Sequence, residues 1–273
     1  MTGGGPAGPP LLALSLAGQS FLLHGDDVRW RDVLAPRYAP FRGEGDAPFE
    51  VELVASAEPP RDWHEIEPLL EPPASTTRGA TIDVGTAAFH IALDAGARRA
   101  RVEAPLHRAA VDVLLRHALP LLLAPDGLVL HGALLADGGA AWICCGPSGC
   151  GKSTLAGLLA ERAYCDELCG VRRETGAWKA WSLPYWHGRP AAVALRGLYL
   201  LRHGAQHRRL RLRPAEALRR LLREVRWPLL GEAAGAALAN LAALVREVPV
   251  WELAFLPQAD VWDTIAAGEE VGA

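Results

Sequence analysis

The amino-acid sequence predicts an α/β fold with α+β flanks, in which a smaller β-rich N-terminal domain precedes a larger domain built on a mixed sheet. Apolar and polar residues alternate in "FEVELVAS" from Phe49, a period typical of half-buried strands. Farther along, the apolar segment "AAWICC" ends in a glycine-rich loop, and the residues after that loop have helical periodicity. We therefore expect a flexible tail over 1–10, the β-rich domain over 11–105 and the larger domain over 106–273.

The composition argues against several classes of protein. Half of the 273 residues are apolar, so the chain can bury a substantial core. The formal net charge of −3 provides no basic field for nucleic acid, and no apolar run approaches the length of about 18 residues that spans a bilayer. All five cysteines lie between Cys144 and Cys169, which favours reduced thiols in a cytoplasmic protein over a disulfide framework. Nucleic-acid and membrane partners are not expected, and homo-oligomer formation stays open.

The N-terminal domain should consist mainly of strands. "LLALSLAG" and "SFLLHG" are predicted strands, as are three segments spaced like antiparallel neighbours, "ATIDVG", "AAFHIALDA" and "RRARVEA". Between them we predict a short helix that ends at Pro36 and, over "AEPPRDWHEIEPLLEPPAST", a long surface connection. "LHRAAVDVLLRHALPLLLA" has the periodicity of a helix, and the domain boundary falls near it, between 105 and 126.

The larger domain should alternate strands with helices. "LVLHGALLA" and "AAWICC" flank a "DGG" turn and predict a hairpin, "KSTLAGLLAERA" predicts a helix, and "ELCGVRR" predicts a strand. "LRGLYLLRHG" and "RRLRLRP" are predicted to form a second hairpin. Two helices follow in "PAEALRRLLREV" and "GEAAGAALANLAALVREV", and then a last strand in "VPVWELAF" and a closing helix in "ADVWDTIAAG".

The glycine-rich loop matches the phosphate-binding pattern G-x-x-x-x-G-K-[ST] at every fixed position. In this pattern backbone N–H groups converge on phosphate oxygens, the lysine pairs with the β- and γ-phosphates, and the hydroxyl after it ligates Mg²⁺. One of only two lysines in the chain, Lys152, lies at the required position. A glycine-rich turn without a ligand is the alternative. The predicted nucleotide-binding residues are Gly146, Pro147, Ser148, Gly149, Cys150, Gly151, Lys152, Ser153 and Thr154.

Residues on both sides of the loop carry a resemblance to a known family. The string "GPSGCGKSTL" is common in ABC transporter ATPases, but no "LSGGQ"-like signature follows it. With His131-Gly132 before the loop and the adjacent acids Asp166 and Glu167 after it, residues 130–171 resemble the catalytic core of HPr kinase/phosphorylase. "LRGLYLLRHG" and "VPVWELAFLPQADVWDTI" are similar to segments of HPr-kinase-related proteins found beside peptide natural-product genes, some of which resemble lasso-peptide kinases.

The resemblance implies the P-loop fold shared with ATP-dependent phosphoenolpyruvate carboxykinase, and transfer of the γ-phosphoryl group of ATP to a hydroxyl with Mg²⁺ as cofactor. It implies catalytic roles for Lys152, Asp166 and His131. We expect the two acids at a strand end facing the loop, and we assign Asp166 to the acceptor hydroxyl as base and Glu167, with Ser153, to Mg²⁺; the reverse order of the acids stays open. A solvated turn and a core histidine are the alternatives without a function.

The acceptor is not identified by the sequence. We expect a Ser or Thr hydroxyl on a peptide or small protein, such as a ribosomal peptide natural-product precursor. A small-molecule hydroxyl is one alternative, and a nucleotide-binding regulatory or assembly protein without transfer is another. The short interval from Lys152 to Asp166 predicts a clipped strand before the acids and favours the regulatory alternative. No proline-glycine-arginine signature is visible, so phosphorylase activity is not expected. The dense basic segment from Arg202 to Arg226 is either a solvated face or a functional group of arginines, one of which neutralises charge in the transition state or which together hold an acidic peptide. Arg173 and Arg196 are individual candidates for neutralising that charge.

Overall fold

A computed structural model describes residues 9–60, 62–185 and 188–267 of the chain. This part of the chain is α/β and contains two seven-stranded mixed sheets and seven α-helices. It divides into two compact units: one comprises the described residues up to Leu122 together with Pro228–Ala234, and the other comprises Leu123–Trp227 and the described residues from Gly235 onward. Residues 1–8 of the predicted tail lie outside the described residues.

The first unit contains the sheet of the N-terminal part. Its strands are β1 (Leu12–Leu16), β2 (Gln19–Gly25), β3 (Phe49–Ala57), β4 (Ala74–Arg78), β5 (Thr81–Gly85), β6 (His90–Asp94) and β7 (Arg99–Pro105). The helices of this part are α1 (Arg29–Tyr38), α2 (Trp63–Leu70) and α3 (Ala109–Leu123), and a 3₁₀ turn covers Ala39–Phe41. The strand order is β1-β2-β3-β7-β6-β5-β4. The predicted antiparallel arrangement of β5, β6 and β7 is confirmed.

The second unit contains the sheet that carries the glycine-rich loop. Its strands are β8 (Gly127–Asp137), β9 (Ala140–Cys145), β10 (Ala163–Glu174), β11 (Ala177–Ser182), β12 (Ala192–His203), β13 (Arg208–Arg211) and β14 (Val250–Phe255). The helices are α4 (Lys152–Leu158), α5 (Pro214–Leu221), α6 (Gly231–Glu247) and α7 (Val261–Ala266). The strand order is β11-β10-β8-β9-β12-β14-β13, and β11 also pairs with β12. The predicted β8–β9 hairpin is confirmed.

Side chains of the second sheet alternate between two buried faces. On one face, called the α4 side, Ala133 of β8 packs in a cluster with Leu155 of α4 and residues of α7. On the other face, called the α5 side, Leu134 of β8 packs in a cluster with Leu221 of α5 and Leu244 of α6. Because alternate residues of a strand point to opposite faces, the side of each candidate residue follows from its position in the strand.

The predicted second hairpin is wrong. β12 and β13 are not neighbours, because β14 lies between them, parallel to β12 and antiparallel to β13. The two helices α5 and α6 supply the long connection through which β14 returns to the side of β12, as parallel pairing requires. Parallel partners flank β12 on both edges, and its run Leu198–Leu201 is buried. Such a continuous apolar run is typical of a central parallel strand.

The predicted end of the first helix is also wrong, since α1 continues through Pro36 to Tyr38. Three side chains on one face of α1, Trp30, Leu34 and Tyr38, are buried at intervals of four residues. A proline removes one backbone hydrogen bond from a helix, and burial of three large side chains outweighs that loss.

The predicted surface connection contains a helix. At the N-terminus of α2 the Asp62 carboxylate accepts a hydrogen bond from the backbone N–H of Glu65 at 3.1 Å, which satisfies one of the N–H groups that lack a partner within the helix. The prolines on both sides of this segment obscure its helical pattern in the sequence.

Candidate functional site

The glycine-rich loop joins the end of β9, at Cys145, to the start of α4, at Lys152. Gly151, the last loop residue, has a φ of 101°, in a region that residues with a Cβ rarely adopt. A Cβ at Gly151 would also lie 2.7 Å from Cζ of Phe255. Both the backbone conformation and the packing against Phe255 therefore require glycine at this position.

The Lys152 side chain is buried along the loop, with 8% of its surface exposed. Its Nζ donates hydrogen bonds to the carbonyl oxygens of Gly146 at 2.6 Å and Pro147 at 3.2 Å. A buried ammonium group requires such acceptors, because burying an unpaired charge is costly. The loop thus carries a positive charge that is held by neutral carbonyl groups at its first two residues.

A buried carboxylate that sequence analysis missed lies beside these atoms. Glu224 is only 7% exposed, and it lines the same cavity as Gly146 and Pro147. Burial raises the pKa of the Glu224 carboxyl, and the Lys152 ammonium, the Gly146 N–H and the Arg223 guanidinium offset only part of that rise. Glu224 is therefore a charge partner of Lys152 at the first residue of the loop.

Backbone pairing in the sheet brings Glu224 to the loop. Strand β9 ends opposite Gly132 of β8, so the earlier residues of β8 need another partner on that edge. The chain after α5 provides it: the N–H of His131 donates to the carbonyl oxygen of Glu224 at 2.7 Å, and the N–H of Arg226 donates to that of Val129 at 2.8 Å. This pairing uses main-chain atoms alone, so no side-chain pattern in the sequence indicates it.

His131 and Asp166 both lie on the α4 side of the sheet. His131 is two residues before Ala133 in β8 and shares its face, and its Nδ1 is 3.8 Å from Oε2 of Glu224. Asp166 of β10 is directly opposite Ala133, and so is Cys144 of β9 on the other edge. At a strand spacing of about 4.8 Å, the Cα of Asp166 lies about 10 Å from the Cα of Cys144, close to the start of the loop.

Glu167 is placed differently from its neighbour. It pairs with Gly132 of β8, so its side chain projects to the α5 side, opposite to that of Asp166. Its φ of 153° is unusual for a residue with a side chain. Both acids lie inside β10, which begins at Ala163. The expectation that both acids lie at a strand end and face the loop together is therefore wrong, because successive residues of β10 point to opposite faces of the sheet.

Asp166 is an isolated buried acid. It is 5% exposed, and its carboxylate makes no hydrogen bond or ion pair with any residue that the structure describes. The side chains of Ser153 and Thr154, at the start of α4, are exposed. Buried carboxylates are usually paired or bound to a cation, so Asp166 is suited to receive a proton or to contact a metal ion.

A cavity of about 240 Å³ opens at the first two residues of the loop. We call it the arginine cavity. Gly146–Pro147 and Leu200–Leu201, at the end of β12, form one part of its wall. The other part consists of the side chains that follow along α5 and its C-terminal turn, Arg219, Arg220, Arg223 and Glu224.

The two arginines named individually from the sequence, Arg173 and Arg196, do not line this cavity. Arg173 forms an ion pair with Glu247 at 3.1 Å. Arg196 lies on β12 four residues before Leu200, about 13 Å farther from the loop along the strand. Arg219, Arg220 and Arg223 belong to the dense basic segment noted in the sequence, which could not show which of its arginines reach the loop because α5 is brought there only by the fold.

The five cysteines are free and buried. Burial raises the pKa of the Cys144, Cys145 and Cys169 thiols. Sγ of Cys165 and Sγ of Cys169 are 3.5 Å apart. Within the described ranges, no group of three or more His, Cys, Asp or Glu side chains is arranged to hold a metal ion. No helix in the described part of the chain is long and apolar enough to cross a membrane.

No protein-family model matches this chain, and no curated protein matches it. Functional conclusions therefore rest on the loop, the isolated acid on the α4 side and the arginine cavity.

Proposed function

We propose that the chain is an ATP- and Mg²⁺-dependent P-loop kinase related to HPr kinase, which transfers the γ-phosphoryl group to a Ser or Thr hydroxyl of a peptide or small protein. The observation that carries the proposal is the isolated Asp166 carboxylate on the α4 side, buried near the start of a loop that matches the phosphate-binding pattern. A charged group without a partner at such a loop is typical of a reaction site.

The loop residues fit a nucleotide. Gly151 leaves no room for a Cβ, and Lys152 has its ammonium group held by carbonyl oxygens of the loop itself. Phosphate oxygens are stronger acceptors for an ammonium group than neutral carbonyl oxygens are. We therefore infer that Lys152 pairs with the β- and γ-phosphates of ATP, and that the Gly146–Thr154 segment encloses them.

The donor set also fits Mg²⁺. This ion usually takes one or two protein oxygens and completes its coordination with substrate phosphates and water, so a preformed cage of side chains is not required. The Ser153 hydroxyl and the Asp166 carboxylate lie on the same side of the sheet, whereas Glu167 projects to the other. When bound, Mg²⁺ neutralises charge that develops on the transferred group.

The chain's own acids then orient the acceptor. We assign Asp166 to the acceptor hydroxyl, whose proton it accepts, because its carboxylate has no competing partner among the described residues. His131, half-exposed and next to Glu224, lies on the same side and is placed to contact the acceptor or the phosphates. The assignment of Glu167 to Mg²⁺ requires a change in its side-chain direction, and the variants below separate the two acids.

Nucleotide binding is tested with the two lysines of the chain. Lys152→Ala should abolish binding of a fluorescent ATP analogue with Mg²⁺. Lys179→Ala is the matched control, because Lys179 pairs with Glu174 at 3.0 Å. Lys179 also lies opposite Ala194 of β12, six residues and about 20 Å before Leu200 at the loop end of that strand. Equal binding by both variants and the unchanged chain would exclude the loop as the nucleotide site.

Transfer is tested with labelled ATP and a library of Ser- and Thr-containing peptides. Asp166→Asn should retain nucleotide binding and lose transfer by a factor of about 10² or more, as expected for loss of a general base. Because the Glu167 side chain projects to the α5 side, Glu167→Gln should leave both the transfer rate and the Mg²⁺ concentration required unchanged, and a higher Mg²⁺ requirement would return Glu167 to the metal site. Transfer that survives in Asp166→Asn would refute the base assignment. Binding that depends on Lys152, without transfer to any acceptor, would instead support a nucleotide-binding regulatory protein.

A further inference from the structure

The arginine cavity carries more positive charge than its own surroundings neutralise. Arg219 forms an ion pair with Glu216 at 2.8 Å, and Arg220 forms one with Glu252 at 2.8 Å. The Arg223 guanidinium makes no hydrogen bond or ion pair with any described residue. Of the three arginines in the wall, Arg223 is therefore the one whose donors are available to a ligand.

The remaining charges around the cavity do not cancel. Glu224 faces the two cations Lys152 and Arg223, both of which act on its carboxyl group. One carboxylate next to two cations leaves an excess of one positive charge beside Gly146–Pro147. An anion bound at Arg223 would balance this excess.

The size of the cavity limits what it holds. Its volume of about 240 Å³ is below the range of about 300–1,000 Å³ typical of sites for whole small molecules. Leu200 and Leu201 are apolar side chains among its lining residues. A short apolar stem that ends in a carboxylate or phosphate matches this combination, whereas a complete nucleotide exceeds it.

Building on the proposed kinase function, we propose that the arginine cavity binds a carboxylate or phosphate group that the phosphoryl acceptor carries near its hydroxyl, and that Arg223 is the residue that binds it. Planar guanidinium groups bind such oxyanions through paired hydrogen bonds. The cavity adjoins the first loop residues, so a group held there positions the rest of the acceptor next to the phosphates of the donor. The acceptor is then an acidic or phosphorylated peptide rather than a neutral one.

A binding experiment tests Arg223 without any turnover. The full chain is saturated with Mg²⁺ and a non-hydrolysable ATP analogue, so that the loop is filled, and is then titrated calorimetrically with inorganic phosphate or with glutarate. We expect one additional oxyanion site, weakened by a factor of about ten or more in Arg223→Gln. Arg208→Gln is the matched control, because Arg208 on the edge strand β13 is exposed and also lacks an ion pair among described residues. No additional site, or equal weakening in both variants, would overturn the proposal.

The experiment separates carboxylate from phosphate as the bound group, and it separates failure of the oxyanion site from failure of the proposed kinase function. Stronger binding of glutarate than phosphate assigns the cavity to carboxylates, and the reverse order assigns it to phosphates. If the ATP analogue fails to bind, the proposed kinase function fails, and the titration of nucleotide-free protein still compares Arg223→Gln with Arg208→Gln. If transfer is observed, a Ser peptide with an adjacent Glu should have a KM at least about tenfold lower than the same peptide with Gln in place of that Glu. Arg223→Gln should remove this difference in KM. A difference that the substitution leaves unchanged would contradict the role of Arg223.

Discussion

Replacing Gly151 by alanine measures how strongly the loop conformation depends on the residue before α4. A φ of 101° costs a residue with a side chain about 1–2 kcal/mol. The new methyl group would also lie 2.7 Å and 3.2 Å from two ring carbons of Phe255, and overpacking of this kind costs about 1–3 kcal/mol. We therefore expect Gly151→Ala to lower the free energy of unfolding by about 2–5 kcal/mol.

Gly149 provides a control within the same loop. Its φ of 80° is also left-handed, but a Cβ added there meets no atom within 4 Å. Gly149→Ala should therefore lose only the conformational part, about 1–2 kcal/mol. In a Phe255→Leu background the ring carbons that meet the new methyl are gone, so Gly151→Ala should recover its steric part, a coupling energy of about 1–3 kcal/mol in a double-mutant cycle.

Urea unfolding of the four single and double variants, followed in parallel with binding of the ATP analogue, gives both readouts. The predicted steric cost at Gly151 is refuted if Gly151→Ala is no more destabilising than Gly149→Ala. It is also refuted if the cost of Gly151→Ala is the same with phenylalanine and with leucine at 255, because the contact between Gly151 and the ring would then have no energetic consequence.

Three further predictions concern buried polar groups. Since burial raises the pKa of Glu224 above its ordinary value of 4.5, its protonated form favours folding at low pH, and this contribution is lost as the pH rises through the folded-state pKa. In pH-dependent denaturation, Glu224→Gln should therefore gain stability relative to the unchanged chain as the pH rises above about 4.5, and a difference that does not change with pH would contradict the shift. Ellman's reagent should leave the thiols of the native protein unmodified until it unfolds, because they are buried and the pKa values of Cys144, Cys145 and Cys169 are raised; rapid native labelling would exclude that burial. Tyr38→Phe removes the hydrogen bond from the Tyr38 hydroxyl to Asp112 at 2.5 Å and should cost about 1–3 kcal/mol in urea unfolding, whereas an unchanged midpoint would show that water replaces it.

Local patterns predicted much of the fold. Alternation of apolar residues identified β3 and the antiparallel strands β5 to β7, and the "DGG" turn identified the β8–β9 hairpin. The prediction of a second hairpin was wrong because the neighbours of a strand depend on the topology of the whole sheet. β14 lies between β12 and β13, although it begins about forty residues after the end of β13. A hairpin is the shortest connection, but the apolar run Leu198–Leu201 gains more burial between two parallel partners.

The candidate site also contains features that local sequence patterns predict and features that depend on the fold. The loop and Lys152 were predictable because the phosphate-binding pattern is contiguous and each of its positions has a local physical role. The two acids could be identified from their short distance in sequence from the loop. The directions of their side chains could not be predicted, because the sequence does not show that one strand, β10, runs through both residues and so turns them to opposite faces of the sheet.

Glu224 and Arg223 show why the rest was not predictable, and why it is open to experiment. Glu224 reaches the loop because its carbonyl oxygen accepts a hydrogen bond from the N–H of His131. This contact lies on the edge of β8 where pairing with β9 has ended, since the chain leaves β9 there and enters the loop. That pairing involves main-chain atoms and not the side chains of Glu224 and Arg223. Substituting Glu224 or Arg223 should therefore change the charge beside Gly146 without displacing the segment that carries it, so an effect on oxyanion or nucleotide binding would report on electrostatics rather than on a rearranged sheet.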